Sequence, residues 1–376
     1  MRRFLLVVII VLISRLLMAD DQITVNQQPV KNIIFMIGDG MGINQVAGAR
    51  IKAYGADGRL NMETLPVTGL LKTHSIDDLI TDSGASATAL STGYKTRNKM
   101  IGMSADTTRV ITIMEAARDG GLSTGLVVTS SITHATPACF AAHVPNRYTE
   151  QEIARQLVAS GTDVMLGGGK KFFLPKSAGG DRKDALNLLD VAAHAGYDIV
   201  LDKTAFEQSS GSKILGLFAE NGLLNKDNEP SLAELTKKAI GILSQNKKGF
   251  FLMVEGSQID WAGHDNQFAE LVKQVLSFDE AIGVALAFAE KNAETLVVVT
   301  ADHETGGMSI RSGKRDGSQL KIDWISTDHT GQMVPVFAAG SNAYLFTGVK
   351  DNTDIPKVFA RLLGIENFPR KIEVAD

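Results

Sequence analysis

Five short runs of the chain, residues 32–37, 125–128, 163–166, 250–254 and 296–299, are apolar almost throughout rather than at every second position. A strand with one wet face alternates; a strand without alternation must be covered on both faces. Between the runs lie stretches with helical period. Residues 107–119 put Val110, Ile113, Met114 and Ala117 on one face and stop at Gly120-Gly121. Thr149 with Glu152, and Ser231 with Glu234, have the spacing of capping boxes, and residues 269–291 predict a longer helix. Strands buried on both sides and alternating with helices predict an α/β fold, a three-layer α/β/α sandwich with a mostly parallel central sheet. Residues 170–230 and 311–325 break the pattern and are expected to run as excursions over the sheet's edge.

Length alone would allow two or three domains at about 150 residues each. No linker, charge run or repeat divides the 376 residues, so one catalytic domain is expected over residues 20–376. The single cysteine, Cys139, excludes an intramolecular disulfide framework. Lys plus Arg number 38 against 42 Asp plus Glu, a net charge of −4, which lacks the basic excess of a nucleic-acid-binding surface. At the start of the chain Arg2-Arg3, the apolar residues 4–13 and then Leu16-Leu17-Met18-Ala19 follow the order of a signal peptide. Cleavage is expected near Ala19, with residues 1–19 removed and the protein exported to the periplasm or the medium. Arg15 interrupts the apolar stretch, which falls short of the roughly 18 residues a stable membrane span requires.

In parallel sheets ligands gather beyond the carboxyl ends of the strands, so the residues that follow each run carry the functional reading. After 32–37 comes Gly38-Asp39-Gly40-Met41-Gly42. After 250–254 come Glu255, Asp260 and His264, the last two one helical turn apart. After 296–299 comes Thr300-Ala301-Asp302-His303-Glu304, and Asp328-His329-Thr330-Gly331 precedes a further apolar run at 334–338. Singly, a Gly-Asp-Gly is usually a turn and an Asp/His pair a solvated helix face. Together, Asp39, Asp260, His264, Asp302, His303 and His329 suffice for two zinc ions with three protein ligands each and positions open to substrate. Glu255 and Thr136 offer oxygen alone, which suits an adjacent magnesium.

Thr81-Asp82-Ser83-Gly84-Ala85-Ser86-Ala87-Thr88-Ala89 predicts a tightly packed helix with Ser83 in its first turn, where free N–H groups favour an anion. No Gly-x-Ser-x-Gly elbow accompanies it; a nearby metal would activate the hydroxyl instead. His134-Ala135-Thr136-Pro137 and then Asn146-Arg147 follow. An arginine beside a metal pair grips phosphate through a forked pair of hydrogen bonds, whereas alone it reads as a surface residue.

These stretches, in this order and spread over residues 32–340, resemble the bacterial alkaline phosphatases. The resemblance implies hydrolysis of small phosphate monoesters at alkaline pH, through a phosphoserine on Ser83. It implies one zinc on Asp260, His264 and His329, the other on Asp39, Asp302 and His303, and one magnesium facing Asp39, Thr136 and Glu255. Arg147 would bind the phosphate. Some family members carry Asp where this chain has His134 and Lys where it has Trp261, so these two are taken as residues that tune the substrate side of the site rather than as ligands. A homodimer is implied, while the shortness of residues 170–230 and 311–325 argues against a large crown domain. A diesterase of the same superfamily and a non-catalytic metal- or phosphate-binding protein are the competing readings. A sulfatase would need Cys-x-Pro-x-Arg, and Cys139 is followed by Phe140-Ala141-Ala142-His143.

Overall fold

A computed structural model describes residues 27–224 and 228–372. The expected signal peptide and its cleavage near Ala19 lie outside the described residues. The strands in chain order are β1 (Asn32–Gly38), β2 (Val67–Lys72), β3 (Ser123–Ser131), β4 (Val164–Gly168), β5 (Asp198–Val200), β6 (Ile214–Leu217), β7 (Phe250–Gly256) and β8 (Thr295–Thr300). They continue with β9 (Glu304–Thr305), β10 (Ser309–Ser312), β11 (Lys321–Asp323), β12 (His329–Thr330), β13 (Val334–Gly340) and β14 (Gly348–Asp351).

Ten of these strands form one open sheet in the order β14-β2-β13-β8-β1-β7-β3-β4-β6-β5. Every neighbouring pair is parallel except the two that involve β13. The fully apolar central strands are the consequence of helices on both faces. Phe250 and Phe251 are adjacent on β7 and so point to opposite faces. Phe251 packs against Phe140 and Phe359, from the helices Ala135–Ala141 and Asp354–Leu362, whereas Phe250 packs against Phe288 of the helix Phe268–Ala289. The three-layer sandwich expected from the sequence is the observed architecture.

Local expectations met mixed outcomes. The Ser231/Glu234 capping box forms and opens the helix Leu232–Leu243. The predicted helix at 107–119 begins only at Ile113, because Thr107 sits in the left-handed region at φ 65° and Val110 bridges to Lys371. Its true start is a capping box between Thr112 and Glu115. The Thr149/Glu152 box does not form: Arg155 takes both Glu152 oxygens at 2.6 and 2.7 Å, and the Thr149 hydroxyl donates to the Asn146 carbonyl. Residues 170–230 are also not merely an excursion, since β5 and β6 extend the sheet beyond β4. Strands of three and four residues are too short to show a period. Within 311–325, β11 pairs with β10 as a hairpin separate from the main sheet.

Candidate active site

Strands β8, β1 and β7 are adjacent and parallel, with Ile37 opposite both Glu255 and Thr300. Their ends therefore deliver Asp39, Glu255, Asp302 and His303 to one place, all buried. Gly40 turns the chain there at φ 71°, and its N–H donates to Asp302 Oδ1 at 3.1 Å. The helix Gln258–His264 follows β7 and carries Asp260 and His264 on one face, as their spacing predicts. The short pair β9–β12 places His329 opposite Thr305 and so returns His329 to the same cavity.

Three groups of donors result. Asp260, His264 and His329 form one, Asp39, Asp302 and His303 a second, and Asp39, His134 and Glu255 a third, each with its donor atoms within 4.8 Å of one another. In the first group His264 Nδ1 faces the Thr327 carbonyl at 2.5 Å and His329 Nδ1 the Thr81 carbonyl at 2.8 Å. A carbonyl only accepts, so both Nδ1 atoms carry protons, and the two Nε2 atoms meet at 3.2 Å with Asp260 oxygens 3.3 and 3.5 Å away. Once His264 Nε2 gives up its proton to bind, lone pairs so oriented are the donor set of a divalent cation. In the second group His303 Nε2 stands 3.4 Å from Asp39 and 3.1 Å from Asp302.

Further buried atoms make no well-aligned hydrogen bond: both Asp39 carboxylate oxygens, Asp302 Oδ2, Glu255 Oε1, Thr136 Oγ1 and His134 Nδ1, although His303 Nε2 stands near two of them, Asp39 Oδ1 and Asp302 Oδ2. Burial without a partner is costly for any polar atom and more so for a carboxylate. The unpartnered oxygens of Asp39, Asp302, Glu255 and Thr136 fit metal ions, and these residues are the ones proposed from sequence to hold them. Burial, and then the charges of Asp302, Asp260 and Glu255, push the Asp39 carboxyl well above the usual range. Burial chiefly pushes Glu255 up to about 7. A bound cation would offset this crowding of acids and favour their charged forms.

Ser83 opens the helix Ser83–Thr92, with Asp82 as its N-cap accepting from the Ala85 N–H at 2.9 Å. The Ser83 hydroxyl lies 3.3 Å from His303 Nε2. Arg147 is not the surface residue its isolated sequence suggests. Its guanidinium donates to Asp82 Oδ2 at 3.0 Å and to His134 Nε2 at 3.2 Å. Burial works to raise Asp82 but the Arg147 charge holds it below the usual carboxylate range. A guanidinium cannot accept, so His134 accepts through Nε2 and carries its proton on Nδ1. Burial and then Arg147 push His134 down to about 3, keeping the ring neutral. Trp261 sets its ring edge-on to His134 at 6.3 Å. Ser83, Arg147, His134, Trp261, His264 and His329 all line one cavity of about 560 Å³.

The family model for alkaline phosphatase matches residues 30–320 and 314–365. The chain belongs to the alkaline phosphatase family. Alkaline phosphatase 4 of Bacillus subtilis is 36% identical, with 89% of each chain covered. The alkaline phosphatase of Escherichia coli K12 is 33% identical over 91% of this chain and 88% of its own length. Among solved structures, the alkaline phosphatase of the Antarctic bacterium TAB5 superposes with a TM-score of 0.82 at 36% identity, covering 91% of this chain and 100% of that one. A variant of the TAB5 alkaline phosphatase, described with magnesium bound, gives 0.81 at 35% identity and the same coverages.

Residues of this alkaline phosphatase family member that sequence reasoning passed over include Asp82, which orients Arg147, and Thr305, whose hydroxyl donates to Asp260 Oδ1 and lies 3.3 Å from His303 Nδ1. Ser257 donates to Glu255 Oε2 at 2.7 Å. Each is a neighbour in sequence of a residue that was singled out, which is the one available hint.

Proposed function

We propose that the chain hydrolyses phosphate monoesters at alkaline pH, releasing inorganic phosphate and an alcohol, through a phosphoserine on Ser83. The observation that carries this reading is the Ser83 hydroxyl at a helix N-terminus, 3.3 Å from a nitrogen that belongs to a donor triad. Asp260, His264 and His329 would hold one zinc, Asp39, Asp302 and His303 the other. Asp39, Glu255 and Thr136 would hold a magnesium; the TAB5 variant described with magnesium bound carries Asp in place of a histidine. When bound, these cations acidify a hydroxyl and neutralise charge on the phosphoryl group.

The chain's own residues do the rest. The Ser83 oxygen forms a bond to phosphorus as the ester bond breaks and the alcohol leaves with its oxygen. Water then cleaves the phosphoserine, returning the Ser83 hydroxyl and releasing phosphate. Arg147, aimed by Asp82, offers its fork to the non-bridging phosphate oxygens. His134 presents Nδ1–H toward the acidic cluster and Trp261 walls the cavity. A site that grips mainly phosphate leaves the alcohol little read, so broad monoesterase activity is expected. Export to the periplasm or medium, one catalytic domain at 20–376 and a homodimer complete the proposal, on the amino-terminal pattern and the family resemblance. Among the described residues no helix is long and apolar enough to cross a membrane.

The test is to strip the protein with a chelator, restore zinc and magnesium separately, and follow an aryl phosphate and the matching diaryl diester. Zinc should restore most monoester turnover, magnesium alone little, and the diester should remain slow. Turnover that survives chelation, or equal rates on both esters, overturns the proposal.

A further inference from the structure

Lys99 has a backbone conformation that a lysine rarely adopts. The Met100 N–H donates to the Arg97 carbonyl at 3.2 Å, closing a four-residue turn with Lys99 at its third position and φ 74°. That position favours glycine, because a Cβ there crowds the backbone. The conformation is held from both sides. The Lys99 N–H donates to Asp82 Oδ1 at 3.0 Å, and its carbonyl accepts from the Arg147 N–H at 2.8 Å. The turn thus ties together the two residues that flank the phosphate position beside Ser83. A glycine would make both backbone bonds without strain, so the backbone alone does not account for a lysine.

The side chain does account for it. Lys99 is exposed and lines the mouth of the Ser83 cavity. The nearby cations Lys95 and Arg97 each have a carboxylate, Asp351 at 3.2 Å and Asp77 at 3.8 Å. Lys99 has no ion pair within 4.0 Å among the described residues. The other charged side chains at the cavity's rim are acidic, Asp78 and Asp328, and Asp78 already accepts from the Ile80 N–H at 3.1 Å. A group that projects from the bound phosphate toward solvent therefore meets one uncommitted cation at the mouth. An ammonium on a flexible stem suits a second phosphate as a point charge.

We propose that Lys99 is a specificity-determining residue that favours substrates whose departing group is itself anionic, namely phosphoanhydrides such as inorganic pyrophosphate and nucleoside di- and triphosphates. The inference rests on the phosphomonoesterase reading of the same cavity. The bonds made and broken are unchanged: Ser83 oxygen to phosphorus forms, the bridging P–O bond breaks, and the bridging oxygen leaves with the second phosphate, whose charge Lys99 faces.

The experiment compares kcat/KM for pyrophosphate and phenyl phosphate on the metal-loaded protein at low ionic strength. Lys99→Gly removes both charge and strain, Lys99→Met removes the charge alone, and Lys99→Arg keeps the charge. The pyrophosphate-to-phenyl-phosphate ratio should fall about fivefold in the Gly and Met variants and hold in the Arg variant, the size of an exposed ion pair. Raising salt to about 0.5 M should bring the wild-type ratio down to that of the variants, because such pairs are screened. A ratio unchanged in the Gly and Met variants, or insensitive to salt in the wild type, overturns the assignment. Calorimetric binding of pyrophosphate and phosphate to metal-loaded Ser83→Ala protein, with and without Lys99→Gly, separates the two readings. Absence of wild-type turnover on either substrate would refute the phosphatase reading alone. Equal pyrophosphate affinity with and without the lysine would refute the role of Lys99 alone.

Discussion

The Ser83 hydroxyl and the Asp302 carboxylate share one neighbour, His303 Nε2, at 3.3 and 3.1 Å. An imidazole nitrogen committed to a metal cannot also remove a proton from serine, so under the proposed function His303 is a ligand beside the proposed nucleophile and not the base of a triad. Ser83→Ala should therefore lower turnover of an aryl phosphate by at least ~10³-fold, while zinc per chain and the unfolding midpoint stay at wild-type values. Metal analysis beside steady-state kinetics checks this. A rate near wild type would show that the nucleophile lies elsewhere.

Zinc affinity should depend on pH through His264. In the metal-free site the hydrogen bond and charge of Asp260 push His264 up to about 9, while burial and then His303 push His329 down to about 4. At neutral pH one proton thus occupies the ligand face of His264 and must leave before that nitrogen can bind a cation. Lowering the pH below about 9 adds the competing proton. Affinity should rise roughly tenfold per pH unit toward 9 and then level off. Competition with a chelator across that range measures it, and zinc added in weak buffer near pH 7 should release about one proton from this site. A flat profile would show that His264 is already deprotonated.

Much of the site was legible because the central strands are apolar on both faces. In β1, β7 and β8 the first acidic residue at or after the run marks the strand end, which is how Asp39, Glu255 and Asp302 stand out. The edge of the sheet was harder to read. β2 alternates between buried Val67, Gly69 and Leu71 and exposed Thr68 and Lys72, the pattern of a strand with one open face, so a search for unbroken apolar runs passes over it. The Asp82–Arg147 pair joins residues 65 apart, and no spacing rule reaches that far. The helix at 107–119 was overestimated because its apolar period continues through a segment whose backbone is turned by Thr107.

His143 and Glu115 form an ion pair outside the chemistry, with its own pH signature. His143 Nε2 lies 2.9 Å from Glu115 and Nδ1 lies 2.6 Å from the Gly102 carbonyl. With acceptors on both sides, the ring is an imidazolium. Burial works to lower His143, but Glu115 holds it above 6.5; burial works to raise Glu115, but His143 holds it below 4.5. A raised histidine stabilises fully below its unfolded value of 6.5 and loses that contribution as pH climbs through its folded value. A depressed glutamate stabilises above 4.5 and loses its share as pH falls through its folded value. His143→Gln should cost most between these limits, about 3 kcal/mol, and less at alkaline pH. Denaturant titrations of both proteins at pH 5.5 and 9.5 test it; an equal difference at both would mean the pair is not charged.

Gly40 is the position where both proposed zinc sites are vulnerable to one added methyl group. At φ 71° a Cβ would lie 2.7 Å from Thr305 Oγ1 and 2.8 Å from Asp260 Cα. The first of these atoms bonds Asp260 and neighbours His303 Nδ1, and the second is backbone that cannot swing aside. Gly40 also donates its N–H to Asp302, so relief by moving Gly40 itself would disturb the second donor group. Gly40→Ala should lower zinc occupancy of both sites and reduce turnover about 10²-fold, as displacements on the order of 1 Å do. Gly241→Ala is the control. It lies in the helix Leu232–Leu243 with nothing within 4 Å of the new Cβ, and should stabilise the fold by up to about 1 kcal/mol. Metal content and thermal unfolding of the two variants separate a local effect on the cages from a general cost of adding a methyl group. Full zinc content in Gly40→Ala would mean that Asp260 and Thr305 can shift without opening either site.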